Sequence, residues 1–232
     1  MGEANDIVIN GVRLVYDIAG EPDAPPMVLL HALGDSRADW APVLARFAAR
    51  YRVYAVDLRG HGDSDRPGEY TFGAMCADTV GLLDALGLTD VVLVGHSMGG
   101  VVTYRVAVAR PDLVARIVIE DAPPPYHRDR PVPDRPDGPL AFDWAVVPAI
   151  AGAVSAGDPE LWAALATITA PTLIIAGGPE SHVPQDLLAD VAGRIPHATL
   201  RTIPAGHNVH AARPHEFAHA VFDWATTNCQ TG

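Results

Sequence analysis

Ser97 stands in Gly95-His96-Ser97-Met98-Gly99, a G-x-S-x-G that follows the apolar run Val91-Val92-Leu93-Val94 and opens a helical pattern. A serine held on a sharp turn between strand and helix has its hydroxyl lifted clear of the strand end. Glycine two positions to either side leaves room for the neighbouring chain. The chemistry implied is attack on a carbonyl. A serine hydroxyl manages this only when an imidazole takes its proton and a carboxylate orients that imidazole. A second pattern with chemical meaning is His215-Glu216-Phe217-Ala218-His219, whose H-E-x-x-H spacing can place two zinc ligands one helical turn apart with a glutamate as general base. Pro214 suits the first turn of a helix, and Phe217, Ala220, Val221 and Trp224 then make an apolar stripe. His215 and His219 fall roughly opposite that stripe, facing solvent, whereas a catalytic zinc needs a cleft and a third ligand. A zinc hydrolase through His215, Glu216 and His219 is therefore the minor alternative, and no metal site is expected.

Composition excludes other mechanisms. All 16 basic residues are arginine, so there is no Schiff-base lysine, no Ser-Lys dyad and no phosphate-loop lysine. A net charge of -12 repels phosphate backbones and anionic lipid, which argues against nucleic acid and membrane partners. Cys76 and Cys229 form neither a disulfide framework nor a metal-spaced pair, which suits a reducing cytoplasm. The start, Met1 to Asp6, is acidic and polar where a secretory signal needs positive charge and an apolar run. No stretch approaches the roughly 18 apolar residues of a spanning helix. The expectation is a soluble, cytoplasmic protein whose partner is a small-molecule substrate; nothing here fixes an oligomeric state.

The elements that must position Ser97 follow an alternating rhythm. Short β-rich runs at 7–9, 12–18, 27–30, 51–56, 91–94, 117–119, 172–176 and 198–203 are separated by helical patterns near 39–49, 74–87, 98–110, 184–194 and 214–226. Continuous apolar strands imply burial on both faces, which predicts an α/β fold with a mostly parallel central sheet flanked by helices. Asn10-Gly11 between the first two runs predicts an antiparallel hairpin at one edge. With 232 residues, 49% of them hydrophobic, the chain is expected to form a single domain over 1–232. The rhythm breaks over 122–169, where a Pro- and Arg-rich stretch precedes helical patterns near 142–154 and 159–167. So long an interruption reads as a short helical lid inserted into the domain.

Four motifs in order carry a family resemblance. They are His31-Ala32-Leu33-Gly34, the loop from Asp57 to Ser64 (DLRGHGDS), the turn at Ser97, and Gly206-His207-Asn208-Val209-His210. From about residue 7 to 226 the chain resembles an α/β-hydrolase of the branch with a serine nucleophile. The resemblance implies His207 as the base, and it implies that the backbone N–H groups of Leu33 and Met98 form the oxyanion hole. Ala32 stands where the family usually has glycine. The family places its acid after one of two strands, and here both places hold a carboxylate: Asp121 after 117–119 and Glu180 after 172–176. Asp121 is preferred, Glu180 is the alternative, and Glu120 remains a lesser candidate. His96 and His31 are expected to shape backbone and hydrogen bonds, Asp57 and Arg59 to brace loops. His31 together with Trp40, Phe142, Trp144 and Trp162 are the candidate substrate-pocket residues.

The expected function is cofactor-free hydrolysis of a small carboxylic ester or related acyl compound through an acyl-enzyme on Ser97. Cleavage of a carbon–carbon bond beside a ketone needs the same residues. A non-catalytic or slow ligand receptor on the same fold and a cofactor-free haloperoxidase or perhydrolase are the alternatives. Relatives that open epoxides or remove halide carry aspartate at the nucleophile position, where this chain has Ser97.

Overall fold

The structure, a computed structural model, describes residues 3–128 and 131–227; Cys229 lies outside the described residues, as do Met1 and Gly2. Among the described residues, eight strands form one sheet: β1 (Glu3–Ile9), β2 (Val12–Ala19), β3 (Pro26–Leu30), β4 (Arg52–Val56), β5 (Val91–His96), β6 (Val114–Glu120), β7 (Thr172–Ala176) and β8 (Ala198–Thr202). Their order is β1-β2-β4-β3-β5-β6-β7-β8. Only β2 runs against the others, pairing antiparallel with β1 through the Asn10-Gly11 turn and with β4 on its other side. The remaining pairs are parallel.

Among the described residues, eight α-helices accompany them: α1 (Ala41–Ala48), α2 (Phe72–Ala85), α3 (Met98–Ala109), α4 (Val146–Ala156), α5 (Pro159–Ala164), α6 (Gln185–Arg194), α7 (Val209–Ala212) and α8 (Pro214–Thr227). Strand parity divides the apolar runs between two cores. Val28 and Leu30, Val91 and Leu93, Ile117 and Ile119 face one side, with Met75, Leu82 and Val102 of α2 and α3. Met27 and Leu29, Val92 and Val94, Val118 and Ile175 face the other, with Phe47 of α1 and Phe217 and Trp224 of α8. That division is why these strands read as unbroken apolar runs.

Several boundaries differ from those expected. α2 begins at Phe72 because Thr71 Oγ1 accepts from Ala74 N at 3.0 Å and caps the helix there. The single helix expected over 39–49 is a 3-10 turn, Arg37–Trp40, followed by α1. The helix expected over 142–154 starts at Val146, after Asp143, whose carbonyl accepts from Val146 N.

The 122–169 stretch lies in the connection between β6 and β7 and is tied down along its length. Asp143 N bonds Gly60 O at 2.7 Å, Gly62 N bonds Ala141 O at 2.9 Å, and Trp162 Nε1 donates to Pro125 O at 2.9 Å. Arg105 of α3 pairs with Asp158, the residue that caps α5.

Candidate active site

At the end of β5 the chain turns through Ser97 with φ 51° and ψ -112°, a left-handed backbone that non-glycine residues rarely adopt. Glycine is required on both sides. A Cβ on Gly95 would sit 2.3 Å from Gly99 O, and one on Gly99 would sit 2.2 Å from Leu30 O. Ser97 N donates to Glu120 O at 3.1 Å, and Gly99 N to His31 O at 3.2 Å, so the turn is laced to β6 and to the loop after β3.

One residue past β6, Asp121 also has a positive φ, 48°, and its N–H bonds Ile175 O at 2.8 Å. Its Oδ2 accepts from His207 Nδ1 at 2.7 Å and from Ser181 Oγ; its Oδ1 accepts from Gly177 N at 2.9 Å and Gln185 Nε2 at 3.3 Å. Burial pushes the Asp121 carboxyl up, but the hydrogen bonds from His207, Ser181 and Gly177 outweigh it and hold the carboxyl below its ordinary range. Of the two carboxylates the sequence left open, the structure brings Asp121 to His207 and leaves Glu180 exposed to solvent. Ser181 and Gln185 escaped sequence reading, since nothing local marks them as donors to a residue 60 or more positions away.

Ser97, His207 and Asp121 line a cavity of about 330 Å³, together with Leu33 and Met98. Met98 is the first residue of α3, where a helical N–H has no carbonyl one turn back to bond. His31 lies beneath rather than in this cavity. It is fully buried, with Nδ1 2.7 Å from Ala32 O and Nε2 accepting from Leu58 N at 3.0 Å. Burial first, and then neighbouring His61, pushes its pKa down to about 3, so it stays neutral as a brace of the loop. Asp57 is held by Arg37, and Arg59 grips Asp78 of α2 with two hydrogen bonds at 2.6 and 2.8 Å.

The aromatic lining expected from sequence is corrected. Trp40 is fully buried on the α1/α8 side of the sheet, its ring 4.4 Å from that of His210. Phe142 stacks on His61 at 5.8 Å, Trp144 packs against Phe142, and Trp162 lies under the Arg194 guanidinium. None of these four borders the cavity; Phe72 and Tyr126 do. Aromatic identity says nothing about which side of an element a ring will take, and that is where the expectation failed.

The H-E-x-x-H residues lie where the apolar stripe of α8 puts them. His215, Glu216 and His219 are all exposed on α8, and the Arg46 guanidinium, a cation, lies against the His215 ring. Among the described residues, the group whose ligand atoms converge within 4.8 Å is instead Asp39, His96 and His210. There both nitrogens of His210 are committed, Nδ1 to Glu120 at 2.8 Å and Nε2 to Asp39 at 3.0 Å. Burial would lower the His210 pKa, but Glu120 and Asp39 raise it to about 10. An imidazolium thus fills the place of a cation.

This cluster is fixed directly behind the site. His96 precedes Ser97, Glu120 precedes Asp121, and His96 Nε2 donates to His207 O at 3.0 Å. Sequence reading missed this cluster, although strand parity offered a signal: His96 and Glu120 share the sheet face of Val94 and Val118.

Residues 25–144, about half of the chain, match the family model described as alpha/beta hydrolase fold. The chain is similar to "Epoxide hydrolase 4" of Mus musculus, 37% identical over 119 residues, 50% of this chain and 33% of that protein. It thus spans about a third of the length of the first relatives it matches. It is also similar to "sn-1-specific diacylglycerol lipase ABHD11" of Mus musculus, 28% identical over 249 residues, 87% of this chain and 81% of that one. Among solved structures, a hydrolase from Pseudomonas aeruginosa PA01 superposes with a TM-score of 0.84 at 25% identity, covering 97% of this chain and 98% of that one.

Proposed function

We propose, on the premise that this chain belongs to the alpha/beta hydrolase fold family, that it is a serine hydrolase cleaving a small carboxylic ester or related acyl compound. The observation that carries this reading is the 2.7 Å bond between Asp121 Oδ2 and His207 Nδ1 at the cavity that Ser97 lines. With Nδ1–H committed to Asp121, the neutral imidazole presents Nε2 as the base. His207 takes the Ser97 proton as Oγ attacks the carbonyl, and the N–H groups of Leu33 and Met98 receive the oxyanion. The imidazolium then protonates the leaving alcohol. Water, deprotonated by the same ring, attacks the acyl-enzyme and releases the acid. No step calls for a metal or cofactor.

Two further observations support the ester reading. Ser97 supplies an alcohol nucleophile, and the similar protein matched over most of its own length is named a diacylglycerol lipase. The β6–β7 connection acts as the cap of the site, since Pro123 to Tyr126, Arg128, Ile150 and Val154 line the cavity from that side. The limited volume suits a small or medium substrate.

Hydrolysis of 4-nitrophenyl butyrate tests the proposal. Wild-type protein turns it over, and Ser97→Ala lowers kcat/KM by at least about 10⁴-fold. Ester turnover that survives Ser97→Ala contradicts it. Absence of turnover in folded wild-type protein favours the receptor alternative, and peroxide-dependent acyl transfer exceeding hydrolysis favours the perhydrolase one.

A further inference from the structure

About half of the cavity wall is apolar, from Leu33, Phe72, Met98, Val101, Ile150 and Val154. Beyond the triad, its ionisable groups are His182, Asp35, Tyr126 and Arg128. Asp35 belongs to the loop after β3, Arg128 to the cap segment after β6. The backbone of Arg128 is tied to α4 by N–H donation to Ser155 O at 3.3 Å. Its guanidinium lies over the Tyr126 ring, 4.7 Å from the centroid, and Nη1 donates to the Tyr126 hydroxyl at 2.7 Å. Nε is buried and has no hydrogen-bond partner among the described residues. Among the described residues, no carboxylate lies within 4.0 Å of this guanidinium.

Nη1 is therefore occupied and the side chain is held by Tyr126, while Nε, with almost no accessible surface, is out of a ligand's reach; the Nη2 end is what the side chain can offer to the cavity it lines. The ligand that suits a guanidinium N–H best is a carboxylate, bound through a charge-assisted hydrogen bond. In a chain of net charge -12 such a cation at the cavity is the feature able to offset the repulsion of an anionic substrate. We propose that Arg128 anchors a carboxylate distal to the reacting carbonyl, so that the substrate class of the Ser97 site is small esters or acyl compounds that themselves carry a carboxylate. This assignment rests on the serine-hydrolase reading for its chemistry, while the anion contact stands on the cavity alone. Asp35 does not oppose it fully: burial, and then Asp39, pushes its pKa up to about 6, which keeps part of its population neutral near pH 6.

The test compares two esters of equal chain length, 4-nitrophenyl glutarate monoester and 4-nitrophenyl valerate. Wild-type protein should prefer the glutarate monoester in kcat/KM, and Arg128→Met should reduce that preference roughly 10- to 100-fold, the loss expected for a charge-assisted hydrogen bond. Arg128→Lys, which keeps the charge but loses the planar seat on Tyr126, should fall between them. A wild-type preference for valerate, or a preference unchanged in Arg128→Met, overturns the assignment. Binding separates this from the hydrolase reading: monomethyl glutarate should raise the Tm of Ser97→Ala and leave that of Ser97→Ala with Arg128→Met unmoved. A Tm shift without ester turnover keeps the anchor and defeats the hydrolase; the absence of any shift overturns the anchor.

Discussion

Asp121 gathers donors from three parts of the chain, the Gly177 N–H, the side chains of Ser181 and Gln185, and His207 Nδ1. That convergence is the ground for assigning to Asp121, in the proposed mechanism, the orienting of His207. Asp121→Asn should present an amide N–H to His207 Nδ1, select the wrong tautomer, and lower kcat/KM by about 10⁴-fold. Glu180→Gln, at an exposed position, should change it less than about threefold, well under the 1.4 kcal/mol that a tenfold effect represents. Comparable losses in both variants, read as steady-state ester hydrolysis, would contradict the role given to Asp121. That Ser97 and His207 would meet at one cavity was legible in sequence, because each lies in a motif with glycine beside or near it. Which carboxylate would lie beside His207 was not, because both follow a buried strand and the placement depends on donors supplied by a different strand and loop. The rings expected at the pocket lie away from the cavity because nothing local in the sequence says which core a ring joins: Trp40 lies in one and Phe72 in the other.

At the scale of elements, the strand–turn–helix around Ser97 leaves no tolerance for a methyl group. Gly99→Ala would put a Cβ 2.2 Å from Leu30 O, a backbone atom that cannot swing away. The variant should therefore lose thermal stability as well as activity. Gly152 offers the opposite case: it is exposed in the middle of α4, and an added Cβ there meets nothing within 4 Å. Gly152→Ala should stabilise by about 0.5–1 kcal/mol and raise Tm by roughly 1–3 °C, checked by thermal unfolding. The strand runs were legible because burial on both faces makes them continuously apolar, and the hairpin because Asn10-Gly11 accommodates positive φ at both residues. Helix starts were less so. Thr71 and Asp143 set the starts of α2 and α4 through single hydrogen bonds that apolar periodicity does not register.

For the whole molecule, the buried histidines set a pH window. His31 and His96 have pKa values pushed down to about 3 and about 4, mainly by burial, from 6.5. Their contribution to stability is complete above pH 6.5 and is lost as pH falls toward those values. His210 is raised from 6.5 to about 10, burial being outweighed by Glu120 and Asp39. Its contribution is complete below pH 6.5 and is lost as pH climbs through 10. Tm should therefore peak near pH 6.5, and His210→Gln should lower the peak and flatten the alkaline side between pH 6.5 and 10; an unchanged alkaline slope would contradict the imidazolium assignment. The same ion cluster ties the Ser97 turn, the end of β6 and the His207 loop together from behind, so stability and site geometry share a foundation. The central claim is that this assembly makes Ser97 an activated nucleophile, and intact-mass analysis after treatment with a fluorophosphonate tests it most directly. A single adduct on the wild-type chain, mapped to Ser97 and absent in Ser97→Ala, is the predicted result. An unlabelled folded wild type, or an adduct that persists in Ser97→Ala, would contradict it.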